Sequence, residues 1–361
     1  MSAGLLIMRA GRIPSLDGLR AVAIGIVFLA HAGLQYVIPG YFGVLVFFLL
    51  SGFLITTLLR MEIERTGTFS LTSFYRRRIY RIWPPFYFFL ALATLVQVLT
   101  NVGGKAIDWS LVGLQAVHWA NYAIIEHGSH EGRAVGTFVL WSLAVEEHFY
   151  LIFPIILLIM LKADLTQRTQ SQVLLAICIA VLAWRCILYF GLDAPKIRLY
   201  VATDTRFDAI LIGCWLALAA NPWLDPPRVS NRMLGSVFVP LGLLVVLVSF
   251  LPRQQWFDQT FRYTLQSIGL VPAFIACIIF HDRWPWKFLN YRFMRYLGVL
   301  SYSFYLCHAT VIVWTKAWIG GSRVLQGVIS FVVALLLSQL VHVIIEKPMA
   351  STGKWPIKKP N

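Results

Sequence analysis

The sequence predicts an all-α fold: a polytopic membrane helix bundle of about ten transmembrane helices. Two observations carry that reading. Of 361 residues, 58% are hydrophobic and 13% charged, whereas a soluble domain has about 25% charged residues. Apolar runs also recur at the length of about 20 residues that a bilayer crossing needs. A third observation, a one-sided distribution of basic residues, orients the bundle.

Ten spans follow in chain order: Asp17–Ile38, Tyr41–Leu59, Ile82–Thr100, Leu140–Leu161, Ser171–Phe190, Thr205–Ala220, Leu234–Leu251, Thr264–Phe280, Leu297–Ala317 and Val324–Glu346. The sixth is short. The stretch Ser110–Ile125 is apolar but broken by His118 and Asn121, and reads as an interfacial or re-entrant helix. The formal net charge is +15, and it follows topology rather than a nucleic-acid surface. With the N-terminus inside, 20 of the 31 Lys and Arg fall on that side, seven on the other and four within spans. The positive-inside rule then places both termini in the cytoplasm, the arrangement of a multi-pass protein of the cytoplasmic (inner) membrane.

The five cysteines all fall inside spans, where they suit apolar packing rather than a disulfide framework. The basic N-terminus followed by an apolar run mimics a signal peptide. The run is too long and lacks a small-residue cleavage site, so it is read as a retained first helix. No internal repeat, no low-complexity segment and no soluble domain is expected.

Ionisable groups inside a span cost about 2.5–3.5 kcal/mol each on insertion scales, which makes them functional candidates. The first span carries Arg20 and His31, eleven positions apart. In an ideal helix they share one face, roughly 16 Å apart along the axis. Asp17 lies one turn before Arg20 and can pair with it. Arg20 is equally suited to snorkelling at a helix end, and His31 could bond to a neighbouring helix, but topology explains a deep His31 poorly.

The stretch FYRRRIYRIWP clusters arginines before the third span, with Arg78 and Arg81 one turn apart. Guanidinium forks suit phosphate oxygens, and a basic anchor is the competing reading. In LWSLAVEEHFYLIFP, Ser142, Glu146, Glu147 and His148 fall near one end of a span. Asp204 and Asp208 flank Arg206 in the sixth span as a functional pair or a self-neutralising cluster. Ser301, Tyr305 and His308 form a polar stripe on the ninth, either a site or an interhelical hydrogen-bond seam. Ser51-Gly52 suits close helix approach, and Glu346-Lys347-Pro348 a structural ending. No metal-binding spacing, GxSxG elbow or phosphate-cradling glycine loop is present. On topology alone the arginines collect toward the cytoplasm, and His31, Glu146, Glu147, Asp208 and His308 toward the outer half.

Seven segments occur in an order that resembles the acyltransferase-3 family of integral membrane O-acyltransferases: LDGLRAVAIGIVFLAH, GVLVFFLLSGFLIT, FYRRRIYRIWP, WSLAVEEHFYLIFP, RFDAILIGCWLA, SYSFYLCHATVI and IEKP. The likeness runs from about Ile13 to Pro348 and marks 1–361 as a single integral membrane acyltransferase domain with its core at 13–348. Its most diagnostic marks are R-x10-H, here Arg20 and His31, and R-x-x-R, here Arg78 and Arg81.

The resemblance implies transfer of an acyl group, usually acetyl, from cytoplasmic acyl-CoA to a hydroxyl of an envelope or secreted glycan or a lipid-linked saccharide. It implies the stand-alone form, without the SGNH domain some members carry. Acyl-CoA is then the donor substrate, with no permanently bound cofactor and no metal. The expected partners are acyl-CoA, the saccharide acceptor and the lipid bilayer, not nucleic acid. Arg20, Arg78 and Arg81 would hold CoA phosphates. His31 would act as general base or acyl carrier, oriented by Glu147 or Glu146, with Asp17, Ser142, Asp208, Tyr305 and His308 in support. The rival reading is a proton-coupled transporter of a small polar solute, which two similar halves with broken spans would favour; such halves are not evident.

Overall fold

The computed structural model describes residues 13–104, 106–128 and 132–352, with no side-chain description for 350–352. The basic residues Arg9, Arg12, Lys105, Lys354, Lys358 and Lys359 lie outside the described residues. Helix is the only regular structure among those described. Among the described residues, nine helices are long and apolar enough to cross a membrane: α1 (Leu16–Leu34), α2 (Gly40–Thr66), α3 (Leu71–Thr100), α6 (Thr137–Lys162), α7 (Gln167–Gly191), α10 (Asn231–Val248), α12 (Arg262–Ile279), α13 (Arg292–Trp318) and α14 (Arg323–Met349). The remaining expected span is α9 (Thr203–Ala219), of 17 residues. Short helices α4 (Trp109–Ala116), α5 (Ala120–His127), α8 (Lys196–Val201) and α11 (Gln255–Gln259) complete the order.

The shortness of α9 reflects its place. It packs between α2 and α7, and thirteen of its residues are buried, so it is enclosed by protein rather than sized by a bilayer. The outermost helices show the opposite pattern. On α14, Val332, Leu336, Leu340 and Ile344 are exposed at four-residue spacing, as are Leu151, Ile155 and Ile159 on α6. Apolar stripes of this kind face lipid in a multi-pass membrane protein.

Two boundaries differ from expectation. Helix α3 begins at Leu71 rather than Ile82, because the Ser70 side chain caps it by accepting the Ser73 N–H at 3.2 Å. The arginine cluster therefore belongs to the helix itself, which continues through Pro84 and Pro85. The Ser110–Ile125 stretch forms two short helices, parted where His118 takes a left-handed φ of 58° and stacks on Phe86, ring centroids 4.3 Å apart.

The close approach expected at Ser51-Gly52 occurs against α9. A Cβ on Gly52 would lie 1.9 Å from the Ile210 carbonyl oxygen, and one on Gly213 would lie 2.2 Å from that of Leu49. Backbone cannot yield as a side chain can. Gly52→Val is expected to destabilise the bundle by at least about 1–3 kcal/mol through overpacking, seen as a lower melting temperature in detergent, with Gly25→Ala, which meets open space, as the neutral control. Gly298 does the same between α13 and α1, where a Cβ would stand 1.8 Å from the Asp17 carbonyl oxygen. That crossing lays the stripe of α13 along the Arg20–His31 helix.

Candidate active site

Six helices converge on one cavity of about 120 Å³, with α2 contributing Val44, Phe47, Leu50 and Ser51. Helix α1 contributes Arg20, α3 Arg78 and Arg81, α6 Ser142, Glu146, Glu147 and Tyr150, α13 Ser301, Tyr302 and Tyr305, and α14 Glu346. The three arginines singled out by spacing are thus brought to one wall.

Their pairing differs from that of Arg77 and Arg60 nearby. Arg77 meets Glu62 at 3.3 Å, and Arg60 is bound by Glu64 and Asp225. Among the described residues, Arg20, Arg78 and Arg81 have no carboxylate within 4.0 Å, Asp17 included. Arg78 instead lies over the rings of Phe74, at 5.6 Å, and Tyr150, at 5.7 Å, and its buried Nε has no hydrogen-bond partner. The carboxylates of the same cavity are held by other donors. Tyr150 donates to Glu146 at 3.2 Å and Trp83 Nε1 to Glu147 at 3.2 Å. Glu346 accepts from Ser303 and meets His342 Nδ1 at 2.6 Å. Guanidinium groups left without an anion at contact distance form a ready site for one.

His31 lies elsewhere. It sits in a widened π turn, Ala30–Leu34, that contains a kink at Gly33 with φ 120°; such turns recur at functional sites. It lines a second cavity, of about 340 Å³, with Gln97, Arg133, Val139 and Lys316. Its Nδ1 is 3.1 Å from Nε2 of the fully buried His308, and His308 Nδ1 is 2.6 Å from the Tyr305 carbonyl oxygen.

That carbonyl sets the protons. It can only accept, so His308 Nδ1 carries a hydrogen and, in the neutral ring, Nε2 is a lone pair. His31 Nδ1 must then donate to it, which leaves the lone pair of His31 on Nε2. Between the two cavities stands Tyr305. Its hydroxyl donates to the Val139 carbonyl at 3.0 Å and lies 2.6 Å from Ser142 Oγ. Ser142 and Tyr305 line the arginine cavity and Val139 the His31 cavity, so the dividing wall is about one side chain thick.

Several expectations need correction. Glu146 and Glu147 do not orient His31; α6 turns them into the arginine cavity, and the partner of His31 is His308. Asp208 belongs to neither cavity. It forms a fully buried ion pair with Arg185 at 2.9 Å and accepts from Thr264. It does not neutralise Arg206, whose guanidinium lies 3.8 Å from the Tyr263 ring centroid, while Asp204 pairs with Arg198 at 2.5 Å. His148 turns to Thr203 at 2.7 Å. Glu346, read as a structural helix end, lines the arginine cavity; its position in the IEKP segment was the signal available.

A family model described as an acyltransferase domain, Acyl_transf_3, matches residues 13–343. The chain is similar to O-acetyltransferase OatA of Staphylococcus aureus strains NCTC 8325, COL and MRSA252, at 29% identity over 94% of this chain. It spans 58% of the length of those relatives. No solved structure matches it.

Proposed function

Because the chain belongs to the acyltransferase-3 family, whose domain covers residues 13–343, we propose that it transfers an acyl group, acetyl foremost, from acyl-CoA to a saccharide hydroxyl. The donor enters from the cytoplasmic side of the inner membrane, where both termini lie. The acceptor is a glycan or lipid-linked sugar reached from the other side.

Arg20, Arg78 and Arg81 bind the CoA phosphates, and the pantetheine arm runs along α1 toward Tyr305. His31 Nε2 takes the proton of the acceptor hydroxyl, whose oxygen attacks the thioester carbonyl carbon. The C–S bond breaks and CoA leaves as thiolate. His308 keeps His31 in the tautomer with a bare Nε2, the role that a carboxylate plays for the imidazole of a catalytic triad. Ser142 and Tyr305 form the wall that must part for the acyl group to reach His31.

The observation that carries this reading is the charge arrangement: three arginines without an anion partner in one cavity, and a tautomer-fixed histidine in the next. Loss of a hydrogen bond to a charged group costs about 1.5–3 kcal/mol. Arg78→Ala combined with Arg81→Ala is therefore expected to raise the acetyl-CoA concentration for half-maximal hydrolysis at least about tenfold, with acceptor affinity unchanged. An unaltered donor constant would leave these arginines as a topology anchor only. In cells, mass spectrometry of envelope glycans with and without the gene should find a missing acetyl mass.

A further inference from the structure

On the far side of Tyr305 the charged residues that line the cavities are, among the described residues, all cations. The His31 cavity holds Arg133 and Lys316. A neighbouring cavity of about 530 Å³ shares Lys316 and adds Arg323, Gln326, Gln35 and Tyr36. Among the described residues, neither has an aspartate or glutamate in its lining.

Three other cations on that side, Lys196, Arg198 and Arg262, are paired, whereas Arg253 has no carboxylate within 4.0 Å among the described residues. Arg198 pairs with Asp204 and Arg262 with Asp258, each at 2.5 Å, and Lys196 reaches Asp258 at 4.0 Å. Lys316 and Arg323 have no carboxylate within 4.0 Å among the described residues. Arg133 is only 3% exposed. It donates to the carbonyls of Gly128 and Ala123, and its buried Nε has no partner. Carbonyls orient a guanidinium without neutralising it, and Asp108 favours its charge only from beyond 4.0 Å; a buried charge without a contact partner is costly. A like-signed, low-dielectric cleft concentrates ligands of the opposite sign.

We propose that the acceptor is an acidic saccharide, its sugar carboxylate or phosphate held by Arg133, Lys316 and Arg323 while a neighbouring hydroxyl faces His31. The inference rests on the transferase reading but adds the class of acceptor. Lys316 and Arg323 are exposed, but lipid headgroups fit the site less well, because Arg133 is enclosed within the His31 cavity rather than on an outer surface.

Calorimetric binding to the full chain in phosphatidylcholine nanodiscs tests this independently of turnover. The probes are trigalacturonate for the carboxylate, maltotriose phosphate for the phosphate, and neutral maltotriose. The expected result is binding of at least one acidic probe at least about tenfold tighter than maltotriose, weakened by 0.5 M salt and reduced to the maltotriose level in Lys316→Gln/Arg323→Gln. Which acidic probe binds identifies the anion. Equal binding of acidic and neutral probes, or a preference that survives the double substitution, overturns the proposal. So does acidic-probe binding that anionic lipid in the disc abolishes while maltotriose binding is kept, since the cations then serve headgroups. Acetyl-CoA hydrolysis by the unmodified protein, measured separately, tests the transferase reading: its absence sinks that reading whatever the probes do.

Discussion

Replacing His31 with alanine is expected to lower acyl transfer by about 10²–10⁴-fold, the usual contribution of a positioned general base, with membrane insertion and yield near those of the unmodified protein. The side chain lines a cavity and its hydrogen-bonding side-chain partner is His308, so its loss removes little packing. Acetylated saccharide measured by mass spectrometry, beside the elution profile in detergent, separates chemistry from folding. Transfer at the unmodified rate would end the assignment. His308→Ala offers a graded companion. It leaves His31 in place but frees its tautomer, so transfer should fall while acetyl-CoA binding, made in the other cavity, holds.

The second large effect falls on stability. Asp208 and Arg185 are both 0% exposed and meet at 2.9 Å, and Arg185 also donates to Thr264 and to the Thr205 carbonyl. Asp208→Ala strands a buried guanidinium, which costs about 3–5 kcal/mol, a large part of a typical total stability of about 5–15 kcal/mol. Thermal unfolding in detergent should show a marked drop. Replacing both partners with apolar residues, Asp208→Leu with Arg185→Met, should recover much of it, because no charge is then left unpaired. A single variant that keeps its melting temperature but loses transfer would move Asp208 into the chemistry.

Much of this molecule is local, and what is local was legible. Span length and hydropathy belong to contiguous residues, so helices appear at all ten expected places, and the one that falls short, α9, was already the short one. A turn of helix is likewise local: Arg78 and Arg81 share a face wherever α3 packs, and both reach the same cavity as Arg20. Charge inside an apolar run marked His31, Glu146 and Asp208 as residues needing an explanation.

Which explanation each receives depends on partners far away in the chain. His31 meets His308, 277 positions on, because Gly298 lets α13 approach α1 backbone to backbone. Asp208 bonds to Arg185 on a packed neighbour rather than to Arg206 two residues before it, since adjacent helical positions point apart while facing helices bring side chains together. Glu146 and Glu147 follow the rotation of α6 into the arginine cavity, and Arg133, Lys316 and Arg323 gather from three separate segments. Periodicity shows which residues share a face of one helix; it carries no information on which two faces meet, and that choice rests on close packing among helices remote in sequence.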